Sequence, residues 1–167
     1  MNIIYEDNEY MQLVRDILEN DKVKRMGDCR HHGLTRLDHS LKVSYYSYKI
    51  AKKMKLNYIS VARAGLLHDF FVNEDLHGFK SKFSMFFHPY KSLDNSKKYF
   101  NLTDMEEDII ITHMFPTLPH KVPKYLESWI VSGVDKIIAT SEFYYSYGMP
   151  YVYKLSNLYL FSLLLRK

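Results

Sequence analysis

Apolar residues in this chain return every three or four positions, not every second one, and that spacing restricts it to helices packed side by side. Tyr10, Leu13, Val14 and Ile17 make one such stripe; Val43, Tyr46 and Ile50 make another, and Val61, Ala64, Leu67 and Phe71 a third. No run of alternating β-branched residues bounded by hairpin turns breaks the pattern. The expected fold is therefore all-α, a single compact multi-helix bundle over residues 1–167. At 167 residues and 47% apolar, the chain can bury a core without staples.

Start and stop signals divide the bundle. A first helix is expected over Tyr5 to Asn20, followed by a polar, glycine-punctuated loop over Asp21 to Leu34. Thr35, with Asp38 three residues on, offers a capping box for a helix reaching Lys55, and a further helix is expected from Asn57 to Phe71. A long irregular segment (VNEDLHGFKSKFSMFFHP) follows, of the kind that is usually functional. Pro89 is suited to the first turn of a helix ending near Phe100. Thr103 and Glu106 cap one ending near Met114, and Pro123 opens a long helix through Tyr144. Gly148-Met149-Pro150 separates off a terminal helix over 150–167. No internal repeat or low-complexity tract is found.

Charge and cysteine content exclude several classes. The net charge of +4 comes from lysines and arginines scattered through helical segments, which suits an anionic small molecule and gives no block for nucleic acid. Cys29 is the single cysteine, so neither an intrachain disulfide nor a cysteine-based zinc site is available. The first segment lacks the basic start and apolar run of a signal peptide, and the apolar stretch from Tyr151 to Leu165 is too short and too interrupted to span a membrane. The expected setting is the cytoplasm, with no membrane partner. The aromatic C-terminal segment is expected to cap the core or to form a homodimer face.

The chemistry-bearing residues lie on the apolar faces. His39 shares its face with Val43, Tyr46 and Ile50, and His68 shares one with Val61, Ala64 and Phe71, carrying Asp69 beside it. Asp135 sits inside WIVSGVDKIIAT, where an unpaired carboxylate would be costly. His88 adjoins Pro89, and His113 follows Ile109 by one helical turn. Taken singly, each histidine is more often a satisfied core residue than a ligand. Together, inward imidazoles and carboxylates on separate helices would be several buried polar groups in need of partners. Four imidazoles and two carboxylates can hold two divalent transition metals such as iron, manganese, zinc or cobalt, with an aspartate bridging them. Such a centre attracts a phosphate and activates a water, with no nucleophilic side chain needed. His31, His32, His77 and His120 fall in loops and have weaker claims.

In this order, His, His-Asp, His, His, Asp, the sequence resembles the HD superfamily of metal-dependent phosphohydrolases. The resemblance runs from about Thr35 to Thr140 and rests on TRLDHSLKVSYYSYKIAKKMKL, ARAGLLHDFF, the FFHP and IIITHM segments, and WIVSGVDKIIAT. It implies that His39, His68, Asp69 and Asp135 form the four-residue signature that binds one metal. It also implies that His88 and His113 are the two added histidines of binuclear members, among them bacterial diadenosine tetraphosphate hydrolases. Arg36 is placed like an arginine that contacts phosphate in some relatives, and its guanidinium fork suits that task. His68, Asp69 and Arg36 are thus the residues expected to carry catalysis, with Arg36, Lys80, Lys82 and Lys136 as candidates for substrate binding.

Departures narrow the substrate. HD-GYP-type phosphodiesterases carry a lysine where this chain has Val72, and the acidic pair of HD 5'-deoxynucleotidases finds Glu74 and Asp75 out of register. His77, Glu74 and Asp75 are candidate general acids. The expected activity is hydrolysis of a phosphate ester or phosphoanhydride of a nucleotide or other small phosphorylated metabolite. A di-iron oxygenase built on the same ligands, a non-catalytic nucleotide or metal sensor, and a bare helical interaction domain are the rival readings.

Overall fold

The computed structural model describes residues 2–28, 30–31, 34–72, 75, 81–146 and 162. Its elements in chain order are α1 (Asn2–Glu6), α2 (Asn8–Glu19), α3 (Asp21–Lys24), a 3-10 turn (Arg25–Asp28), the strands β1 (Arg30–His31) and β2 (Leu34–Thr35), α4 (Arg36–Lys53), α5 (Tyr58–Leu67), α6 (Ser81–Tyr99), α7 (Asp104–Thr112) and α8 (Leu126–Ser146). The fold is all-α, and the two-residue strands form a small antiparallel pair, with Arg30 opposite Thr35 and His31 opposite Leu34. No helix among the described residues is long and apolar enough to cross a membrane.

Local signals explain most boundaries. Thr35 and Thr103 each close a capping box, with Asp38 and Glu106 respectively reaching back to the cap backbone. The first expected helix is divided in two because the Asp7 side chain accepts from the Tyr10 N–H and restarts the helix there. The expected loop over Asp21 to Leu34 instead holds α3, capped by Asn20, then the 3-10 turn and the strand pair, elements too short to leave a period in the sequence. Helix α6 starts at Ser81, well before Pro89, which lies inside it. Proline removes one backbone donor there but its fixed φ is compatible with a helix, so it does not mark the start. Helix α8 opens at Leu126, three residues after Pro123. The terminal helix expected over 150–167 falls outside the described residues, apart from Ser162.

Helix α4 is the hub, packed most extensively on α5 and also on α8, while α7 lies against both α5 and α8, and α6 packs on α7. The core runs from Tyr10, Val14 and Ile17 of α2 through Val43 and Tyr48 of α4 and Val61, Leu66 and Leu67 of α5 to Ile109, Ile110, Val131 and Ile138. Small residues allow α4 and α5 to approach closely. Ser44 Oγ donates to the Ala62 carbonyl at 2.5 Å and accepts from the Tyr10 hydroxyl at 2.8 Å. One turn along α5, a Cβ built on Gly65 would lie 2.9 Å from the Ser44 Cα. That contact is with backbone, which cannot rotate away as a side-chain tip can.

Gly65→Ala is accordingly expected to push α4 and α5 apart and to lower stability by about 1–3 kcal/mol. Thermal unfolding checks this, and an unchanged or higher Tm would contradict the close approach.

Candidate metal centre

The close crossing at Ser44 and Gly65 brings the C-terminal end of α5 to the flank of α4. His68 is the C-cap residue of α5, and its Nδ1 lies 2.8 Å from the Gly65 carbonyl oxygen. His113 is the C-cap of α7 and makes the same bond, Nδ1 to the Ile110 carbonyl at 2.7 Å. The last carbonyls of a helix lack intrahelical donors, so a ring at the C-cap can donate Nδ1–H to one of them. Each bond fixes the tautomer and leaves the Nε2 lone pair aimed past the helix end. His39 is held by a different element: its Nδ1 is 2.8 Å from Glu142 Oε2, on α8.

The Nε2 nitrogens converge on two carboxylates. His39 Nε2 lies 3.1 Å from Asp135 Oδ1, and His68 Nε2 lies 3.7 Å from that oxygen and 3.8 Å from Asp69 Oδ2. On the other side of the centre, Asp69 Oδ1 is 3.3 Å from His88 Nε2 and 3.6 Å from His113 Nε2. All six side chains are buried. Ligand atoms of His39, His68 and Asp135, and of His68, Asp69 and His113, lie within 4.8 Å of one another in each group.

Burial and mutual charge set the protonation states. Burial opposes charge on His39, yet its bonds to Asp135 and Glu142 outweigh that and push its pKa up to about 10. Burial opposes charge on His68 as well, while Asp69 and Asp135 favour it and raise the value. His113 moves the other way: burial, with His68 and His88 close by, pushes it down to about 3. Burial disfavours the Asp69 and Asp135 carboxylates, but the surrounding imidazoles win and hold both below the usual carboxylate range.

A cation fits this donor set. Among the described residues, His68 Nε2 and Asp69 Oδ1 are buried without a hydrogen-bond partner, a costly state in a low-dielectric interior. His88 Nε2 and His113 Nε2 stand 2.9 Å apart. Since His113 uses Nδ1–H on Ile110, its Nε2 offers a lone pair, which at that distance calls for a proton shared with His88 Nε2 or a metal between the two.

The remaining expected residues are placed differently. The Arg36 guanidinium is buried over the Phe71 ring, 3.9 Å from its centroid, and donates to the Phe71 carbonyl at 2.9 Å, tying α4 to the segment just after the His-Asp pair. Its Nε is buried without a partner among the described residues. Lys136 Nζ donates to the His113 carbonyl at 2.6 Å and lies 3.7 Å from Asp135 Oδ2, so its head group braces a site residue's backbone. Asp75 accepts from the Val72 N–H and from Asn95 Nδ2, both at 2.9 Å. His120 is exposed and pairs with the Tyr90 hydroxyl at 3.0 Å. Lys80, Glu74, His77 and His32 lie outside the described residues, as do the side chains of Lys82 and His31. Glu142 was not among the residues expected from sequence; its one signal is its place two turns after Asp135 on the same helical face.

The HD domain family matches residues 36–140, and the chain belongs to that family. HD domains bind divalent metals, and the family's members are generally metal-dependent phosphohydrolases. No curated protein or solved structure matches the chain.

Metal and proton compete for His39 Nε2. Because the imidazolium persists up to about 10, the apparent affinity for a divalent ion is expected to rise with pH below that value, by roughly tenfold per unit for each proton released. Calorimetric titration in buffers of different ionisation enthalpy reads the released protons directly. Metal uptake without proton release would contradict the assignment.

Proposed function

We propose that this chain hydrolyses a phosphate ester or phosphoanhydride of a nucleotide or other small phosphorylated metabolite, with two divalent metals held by His39, His68, Asp69, His88, His113 and Asp135. The observation that supports two ions over one is the posture of Asp69. Its Oδ2 faces His68, which belongs with His39 and Asp135, and its Oδ1 faces His88 and His113. One oxygen turned to each half is the arrangement a bridging carboxylate requires. Two ions of iron, manganese, zinc or cobalt there would leave a positive centre against two carboxylates, polarise a phosphoryl oxygen and acidify a water for attack.

The chain's own residues supply orientation and exclusion of water. The Nδ1 bonds to Glu142, Gly65 and Ile110 hold three Nε2 atoms inward before any ligand arrives, so the rings need not turn at binding even where Nε2 must give up a proton. Arg36 holds the segment after Asp69 through Phe71, and its guanidinium, with Nε unpartnered among the described residues, is its candidate contact for a substrate oxygen. Lys136 could reach substrate only by releasing the His113 carbonyl, so its part in this reading is to support the site and add positive field. Lys80 and Lys82 belong to the segment between the His-Asp pair and His88, where basic residues suit a bound anion. The binuclear ligand pattern, similar to that of bacterial diadenosine tetraphosphate hydrolases, makes a dinucleoside polyphosphate the first compound to assay.

The test is elemental analysis of protein expressed in metal-replete medium, followed by a phosphoester and phosphoanhydride panel. About two metals per chain and metal-dependent phosphate release are expected, with His68→Ala and Asp69→Ala losing at least ~100-fold in rate. A single metal would remove His88 or His113 from the ligand set. Oxygen uptake without phosphate release would overturn the hydrolase reading.

A further inference from the structure

His39 differs from the other two rings whose Nδ1 bonds are described above. His68 and His113 each donate to a carbonyl three residues earlier in their own helix, whereas His39 relies on a carboxylate from a distant part of the chain. That carboxylate, Glu142, lies just beyond the segment matched by the HD family. It is seven residues, two helical turns, after Asp135 on α8, so one helix presents a carboxylate to each nitrogen of the same ring: Asp135 Oδ1 at 3.1 Å from Nε2 and Glu142 Oε2 at 2.8 Å from Nδ1.

The second oxygen of Glu142 is engaged too. Lys42, one turn after His39 on α4, donates Nζ to Oε1 at 2.9 Å. The Glu142 side chain is only 2% exposed, and among the described residues His39 and Lys42 are the charged partners that compensate it. A carboxylate behind a ligating imidazole does two things that a neutral carbonyl does less well. It fixes the Nδ1–H tautomer, and it raises electron density at Nε2, which strengthens the bond to a cation.

We propose that Glu142 is a positioning residue for His39, making the half of the centre formed by His39, His68 and Asp135 the tighter divalent-metal site, with Lys42 holding the carboxylate in register. The proposal rests on the metal-binding reading above. A purely structural role, in which the Glu142–Lys42 pair merely clamps α8 to α4, predicts lost stability without any change in metal affinity.

Titration of the metal-free full chain with Co2+ alone, followed by its visible absorption and by competition with a chelator, separates the two roles. In the wild type, two equivalents should bind with resolved affinities. Glu142→Gln keeps an acceptor and the side-chain shape but removes the charge, and is expected to weaken the tighter equivalent by ~10–100-fold and alter its absorption, leaving the weaker one unchanged. Should the amide fail to fold, Glu142→Asp keeps the charge near Lys42 while withdrawing it from Nδ1, and is expected to weaken the same equivalent. Wild-type affinity in a folded variant would overturn the positioning role and leave the metal site standing. A wild type that binds no Co2+ would overturn both.

Discussion

Four buried imidazoles can share one centre only if each has somewhere to put its second nitrogen. His68 and His113 solve this locally, by sitting at helix C-caps where an orphan carbonyl accepts Nδ1–H. His39, in the first turn of α4, uses Glu142 of α8 instead. Those bonds turn the Nε2 atoms inward, and the imidazoles, through the protons they carry or a cation bound in place of those protons, make two buried aspartates tolerable. Without them Asp69 and Asp135 would be uncompensated charges in the interior, a state that costs several kcal/mol.

The scaffold serves that convergence. Ser44 and Gly65 let α4 and α5 approach closely enough for the His39 and His68 rings to stand 5.6 Å apart. Helix α7 brings His113 to 4.9 Å from His68, and α6 delivers His88 at 5.0 Å from His113. Asp108, itself buried, anchors the far side by accepting from the Lys124 N–H and from Ser128 Oγ, which sets the start of α8 against α7. Two turns separate Ser128 from Asp135, so that anchor also sets where Asp135 stands.

Much of this was legible in the residues because it is local. The capping boxes at Thr35 and Thr103, the helical stripes, and the inward placement of His39, His68 and Asp135 follow from short-range rules, and all are present. The early start of α6 was hidden because Pro89 reads as a first-turn residue, although a helix can run through a proline at the loss of one hydrogen bond. Glu142 was hidden for a tertiary reason: a glutamate in SEFYY means little until α8 is laid against α4. Arg36 shows a third kind of gap. Its guanidinium stacks on Phe71 and bonds the Phe71 carbonyl, a partner that sequence spacing could not supply.

The proposed sharing of Asp69 between two metal half-sites is the feature on which the proposed chemistry depends. Anomalous diffraction from crystals of the protein loaded with a single transition metal measures it without reference to any substrate. Two peaks are predicted, one beside His39, His68 and Asp135 and one beside His88 and His113, each about 2.0–2.2 Å from its imidazole nitrogens, with Asp69 reaching both. A single peak, or peaks away from these side chains, would contradict the binuclear account.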